Sequence, residues 1–152
     1  PTAATNVFFG EWAPRKGNSN QIANSTDLNM NDGNRTVWFV GENPTANMPK
    51  LVNAKYNVLG INKHTPGKND FYTGVLTANY GTGKNELAGT ISRAGDSINF
   101  ANTKIESSGK FDNHKNTEHI TGRFYGSGAE ALAGIVDRAG ADKDVAFGGA
   151  KK

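Results

Sequence analysis

The chain contains no cysteine. That excludes a disulfide framework and a thiolate metal centre. Long apolar runs are also missing. None approaches the roughly 18 residues of a membrane-spanning helix, so no helical span is expected. No Lys/Arg run is longer than the terminal pair Lys151–Lys152, although the net charge is +3 and the pI about 9.2. Charge this mild and dispersed reads as a solvated surface, not a nucleic-acid footprint. The opening "PTAATN" has neither a basic n-region nor an apolar h-region. Residues 1–5 read as a linker or trimmed end, with any export signal lying upstream. No Gly-x-Ser-x-Gly elbow appears, and no spacing singles out a catalytic carboxylate pair. The expectation is a protein that is not an enzyme.

What remains points to β-structure. The 152 residues suit one domain, read here as residues 6–152. Glycine and asparagine, 19 each, together make a quarter of the chain, so turns should be many and long helices few. Aromatic residues are spread over the whole length, which argues against disorder. The apolar runs "NVFFGEWA", "TVWFVG", "AKYNVLGI", "FYTGVLTANY", "ELAGTIS", "SINFANTKI", "HITGRFYG", "ALAGIVDR" and "DVAFGGAK" are short. They are rich in β-branched and aromatic types and bounded by Gly, Asn, Asp or Pro, which are strand signals. Eight or nine strands and no convincing helix predict an antiparallel sandwich or closed barrel. Pro14 to Arg35 and Glu106 to Glu118 read as long polar loops. Parity places Leu87, Gly89 and Ile91 on one face, and, less cleanly, Ala133 with Ile135.

One passage occurs twice. "NYGTGKNELAGTISRAG" (79–95) returns 45 residues later as "FYGSGAEALAGIVDRAG" (124–140). Tyr80 matches Tyr125, Leu87 matches Leu132, Gly89 matches Gly134, and Arg93-Ala94-Gly95 matches Arg138-Ala139-Gly140. Each copy reads as a hairpin: a strand ending in an aromatic, a glycine-hinged turn, and a return strand whose small Ala-Gly pair passes close to a neighbour. Two copies are too few for a solenoid.

Several candidate sites follow from residue types. His114, Glu118 and His119 approximate a His-x-x-Glu-His zinc motif, but the spacing is one residue too long and the setting is loop into strand. No metal site is expected from it. His64, His114 or His119 could each supply the single imidazole that a haem iron needs; otherwise no cofactor is expected. "DLNMNDG" (27–33) approaches a calcium loop, but its glycine falls one place late and Trp38 stands where a bidentate Glu belongs. "YGTGKN" lacks the residues of a phosphate loop at Ala78 and Asn85. Phe8-Phe9 and Trp38-Phe39 are adjacent pairs, and neighbours on a strand face opposite sides. One ring of each pair should therefore point outward. Phe9, Trp12 and Trp38 are the candidate partner-binding residues.

"GVLTANYGTGKNELAGTIS", "INFANTKI", "ITGRFYGSGAEALAGIV" and the terminal "VAFGGAKK" resemble the C-terminal barrel of transferrin-binding protein B-like bacterial surface lipoproteins. The resemblance covers Gly74 to Lys152, about half the chain. It implies an all-β, eight-stranded antiparallel β-barrel. It also implies a bacterial surface-exposed or secreted module that binds a host protein such as transferrin, haemoglobin or a complement regulator. Iron or haem acquisition is the leading role that it implies. Complement-regulator or polyanion binding in immune evasion, or a purely structural or export-recognition barrel, is the alternative. Relatives usually carry a lipidated N-terminal cysteine and a handle domain ahead of the barrel, which this sequence does not show. The resemblance thus implies an outer-membrane location through an upstream lipid anchor, or secretion. It transfers a scaffold and no ligand-binding residue.

Overall fold

Glycine, asparagine and proline cut the described residues into eleven short strands. The computed structural model describes residues 6–13, 35–64, 67–115 and 118–152. The strands are β1 (Val7–Trp12), β2 (Thr36–Gly41), β3 (Leu51–Ile61), β4 (Tyr72–Tyr80), β5 (Glu86–Arg93), β6 (Asp96–Asn99), β7 (Thr103–Ile105), β8 (Lys110–His114), β9 (Glu118–Tyr125), β10 (Ala131–Arg138) and β11 (Val145–Lys151). A 3-10 turn at Ala141–Lys143 is the only helical element among the described residues.

Strands β3 to β11 form an up-and-down antiparallel barrel. Each strand pairs with its chain neighbour, and β11 closes on β3. Two short strands share one place in the ring. β6 pairs with residues 90–93 of β5 and β7 with residues 86–87 of the same edge, so the barrel has eight places. The sequence reads "SINFANTKI" as one strand. The break falls at Phe100–Asn102, where Asn102 takes a left-handed φ of 69°; a short polar side chain tolerates that region better than a branched one. Closure pairs β3, β4, β5 and β7 to β11 on both sides, while β6 pairs with β5 alone.

The period-2 pattern fills the interior. Tyr56, Leu76, Leu87, Ile91, Ile98, Phe100, Phe111, Ile120, Phe124, Leu132, Val136 and Phe147 are buried. Four rings form a connected series, with centroids 5.1 Å apart for Phe100–Phe147, 6.2 Å for Phe147–Phe111 and 5.5 Å for Phe111–Phe124. Tyr56 stands 5.6 Å from Phe124, and its hydroxyl donates to the Ala129 carbonyl at 2.6 Å. The low dielectric around that phenol pushes its pKa well above the usual range. Glycines make the room. A Cβ on Gly134 would lie 2.3 Å from the Thr121 carbonyl oxygen and 2.7 Å from the Phe147 ring. The close strand passage expected of the Ala-Gly pair is therefore real there.

One further sequence expectation is corrected. Glu106 to Glu118 is not a loop throughout, because it contains β8. Phe111 and Asn113 alternate inward there, and one buried ring anchors an otherwise polar strand. On β10 the inward residues are Leu132, Gly134 and Val136. Ala133 faces the other way, buried beneath a second layer.

That layer is the β1–β2 hairpin, a separate two-stranded sheet lying on the outside of the barrel wall. Val7 and Phe39 pack against Tyr125, Ala131 and Ala133. Rings sit on glycines: Phe9 on Gly148 and Tyr125 on Gly41. A buried ion pair pins the far end. Arg35 Nη2 donates to Glu11 Oε2 at 2.5 Å and to the Asp144 carbonyl at 3.1 Å. The same carboxylate accepts the backbone N–H groups of Lys63 (2.6 Å) and His64 (2.7 Å). With its partners supplied, a charge can stay buried. Residues 14–34 of the predicted first polar loop, with the calcium-like stretch, lie outside the described residues.

Candidate functional site

The up-and-down order puts four connections at one end of the barrel: β3–β4, β5–β6, β8–β9 and β10–β11. All three histidines and both repeat arginines collect there. The β3–β4 and β8–β9 connections are four places apart in a ring of eight, so they face each other across the mouth.

His64 stands on the β3–β4 side. Its Nδ1 meets Asp70, and its ring stacks on Phe71 at a centroid distance of 4.2 Å. His114 and His119 stand on the β8–β9 side, directly opposite each other in the register. Their rings stack with centroids 3.5 Å apart. The structure therefore brings two of the three histidines together and leaves the third across the mouth. Asp112 joins the pair, its Oδ1 being 2.6 Å from His119 Nε2 and its Oδ2 3.9 Å from His114 Nε2. The sequence motif paired these histidines with Glu118 instead. Glu118 carries a different bond: its Oε1 accepts from Arg138 Nη2 at 3.0 Å. The signal that would have found Asp112 is the i, i+2 spacing of Asp112 and His114, legible only once residues 110–114 are known to be a strand.

The mouth itself is a polar cavity of about 610 Å³, lined in part by Tyr72, Arg93, Asp96, Glu118 and Arg138. Arg93, at the end of the first repeat copy, donates to the Asn62 carbonyl and side-chain oxygen, both at 2.7 Å, and lies over the Tyr72 ring at 4.5 Å. Arg138, its twin, donates to Asp96 Oδ2 at 2.6 Å and to Glu118. The Tyr72 hydroxyl also donates to Asp96. The Arg138 hydrogen bond, helped by that hydroxyl against partial burial, holds the Asp96 pKa down to about 2. Asp144, at the foot of β11, is shifted upward by burial. The mouth is thus a closed network whose charges are largely matched from within.

The aromatic candidates lie on the hairpin. Phe8, Trp12, Trp38 and Val40 are 44–55% exposed and share its outward face. Trp38 lies across Gly10, where a Cβ would come within 2.7 Å of the indole. Trp12 and Trp38 point outward as expected of contact residues. Phe9 does not: it turns to the barrel and rests on Gly148, and Phe8 holds the outward place. Register decides this, since Phe9 pairs with Phe39 on the inner side. Beside β1, Phe9, Leu59, Val75 and Gly148 contribute to an apolar groove of about 660 Å³ on the outer wall.

The class follows from these observations. This is an antiparallel barrel whose interior is filled by its own side chains. The sequence matches the family described as HphA C-terminal domain over residues 46–151, and the chain belongs to that family. The matched span contains the whole barrel and begins after the β1–β2 hairpin.

Proposed function

We propose that the chain is a non-enzymatic binding module of a bacterial surface-exposed or secreted protein. Its business is recognition of a host partner related to haemoglobin or haem. The family match favours that partner class. The observation that carries the mode of binding is the packed interior. Tyr56, Phe100, Phe111, Phe124 and Phe147 are all buried inside the ring and occupy the space in which a lipocalin-like barrel would hold its ligand. Binding is then an affair of the outer surface. The exposed aromatic face of Phe8, Trp12 and Trp38 has the composition of an interface hot spot. The kinship with transferrin-binding protein B-like barrels belongs to the same reading, as does anchorage through a lipid on an upstream segment.

Surface plasmon resonance on immobilised haemoglobin tests it. The chain should bind saturably, and the Trp12→Ala/Trp38→Ala double variant should bind at least tenfold more weakly while keeping its circular dichroism spectrum. Equal binding by both proteins would move the contact elsewhere on the surface. No binding by either, to haemoglobin, transferrin or a complement regulator, would leave the barrel a structural support.

A further inference from the structure

We propose that Asp112, His114 and His119 form a binding site for a divalent first-row transition metal ion, zinc being the natural probe. The register builds it. Asp112 and His114 lie two apart on β8 and therefore share its outer face, and His119 stands opposite His114 on β9. One ligand atom from each of the three lies within 4.8 Å of the others. A zinc ion bound to imidazole nitrogen and carboxylate oxygen at about 2.0–2.2 Å needs its donors roughly 3.3 Å apart in a tetrahedral shell. The 2.6 Å and 3.9 Å separations already bracket that value. Side-chain rotation alone completes the site, because the His114 side chain is 73% exposed, that of Asp112 44% and that of His119 33%.

The donor set selects the metal. Two imidazoles and one carboxylate suit zinc, nickel or copper, whereas calcium and magnesium require oxygen. Three protein donors leave a coordination position for water. The charged neighbours are compatible. Lys104 stands opposite Asp112 on β7 and Asp137 opposite His119 on β10. Lys115 donates its ammonium to the Asn99 carbonyl at 2.6 Å, and Glu118 is bound to Arg138. Bound metal would tie the tip of β8 to the start of β9 and stiffen the side of the mouth facing His64. His64 and its Asp70 partner stay outside the site.

Isothermal titration of the chain with zinc chloride should show one equivalent taken up at about pH 7.5 and at least tenfold weaker binding at about pH 5.5, where imidazoles protonate. His114→Ala and His119→Ala should each weaken binding at least tenfold, with folding checked by circular dichroism, and His64→Ala should change nothing. Amide broadening by nickel in the unaltered chain gives a reading independent of any variant and should centre on residues 112–114 and 119–121. Broadening centred on His64, equal loss in His64→Ala, or no saturable uptake overturns the proposal.

Discussion

The two copies of the repeat share nine of seventeen aligned residues and the same hairpin outline, yet they differ in register by one residue. In the first copy Leu87 pairs with Ala78. In the second Leu132 pairs with Phe124, although the residue aligned with Ala78 is Arg123. The innermost pairs are Asn79↔Glu86 and Tyr125↔Ala131, so the connections between them span residues 80–85 and 126–130. A one-residue slip turns a strand over. Tyr80 accordingly packs against the barrel core, while its twin Tyr125 lies on the outer wall beneath the hairpin. Local partners hold the difference. Asn85 Oδ1 accepts the Gly81 N–H at 3.0 Å in the first turn. In the second, Glu130 accepts the Gly128 N–H and Tyr56 holds the Ala129 carbonyl. One sentence of sequence thus serves two faces of one wall.

The largest test of this contrast concerns the tyrosines. Tyr125 is 3% exposed and joins hairpin to barrel, so Tyr125→Ala should cost about 3 kcal/mol in urea unfolding. Tyr80 is only partly buried, and Tyr80→Ala should cost about 1–2 kcal/mol. Added protease should cut near β1–β2 in the first variant and not in the second. Equal costs without hairpin release would mean that the two rings do not serve different layers.

The arginines provide a smaller test. Arg138→Ala strips Asp96 and Glu118 of their partner and should cost about 1–2 kcal/mol at pH 7, discounted for partial exposure. Arg93→Ala removes bonds to neutral oxygens and should have no acid signature. The sign follows from Asp96, whose folded pKa of about 2 lies below its ordinary 3.8. Its contribution is full above about pH 4 and is lost as the pH falls toward 2. NMR titration of the Asp96 carboxyl should show the midpoint near 2 moving up toward 3.8 in Arg138→Ala. An unmoved midpoint would sever the link.

The smallest effect lies in the turns. Gly83 has a φ of 87° and open space around it, so Gly83→Ala should cost about 1 kcal/mol from backbone strain alone. Its twin Gly128 has no such φ and would meet only the movable Glu130 carboxylate at 2.8 Å. Gly128→Ala should stay within about 0.5 kcal/mol in thermal melts. The left-handed places in that turn belong to Gly126, with a φ of 89°, and to Ala129, with a φ of 55°.

Much of this architecture was legible from residue order. Short β-branched and aromatic runs between Gly, Asn and Pro can form only strands, and their alternation marked Leu87, Gly89 and Ile91 as one face. The repeat announced paired hairpins, and adjacent rings required one outward member. β8 stayed hidden because a single phenylalanine in "KFDNH" gives too little periodicity to count.

Chain order alone therefore determined that this protein is an antiparallel all-β fold with glycine turns, because strand propensity and turn chemistry act over a few neighbouring residues. Only the tertiary structure decided the register of each hairpin, the inward turn of Phe9, the pairing of Glu118 with Arg138, and the meeting of Asp112 with two histidines. Those outcomes depend on which strand lies beside which and on a shift of one residue, and both are settled when the barrel closes.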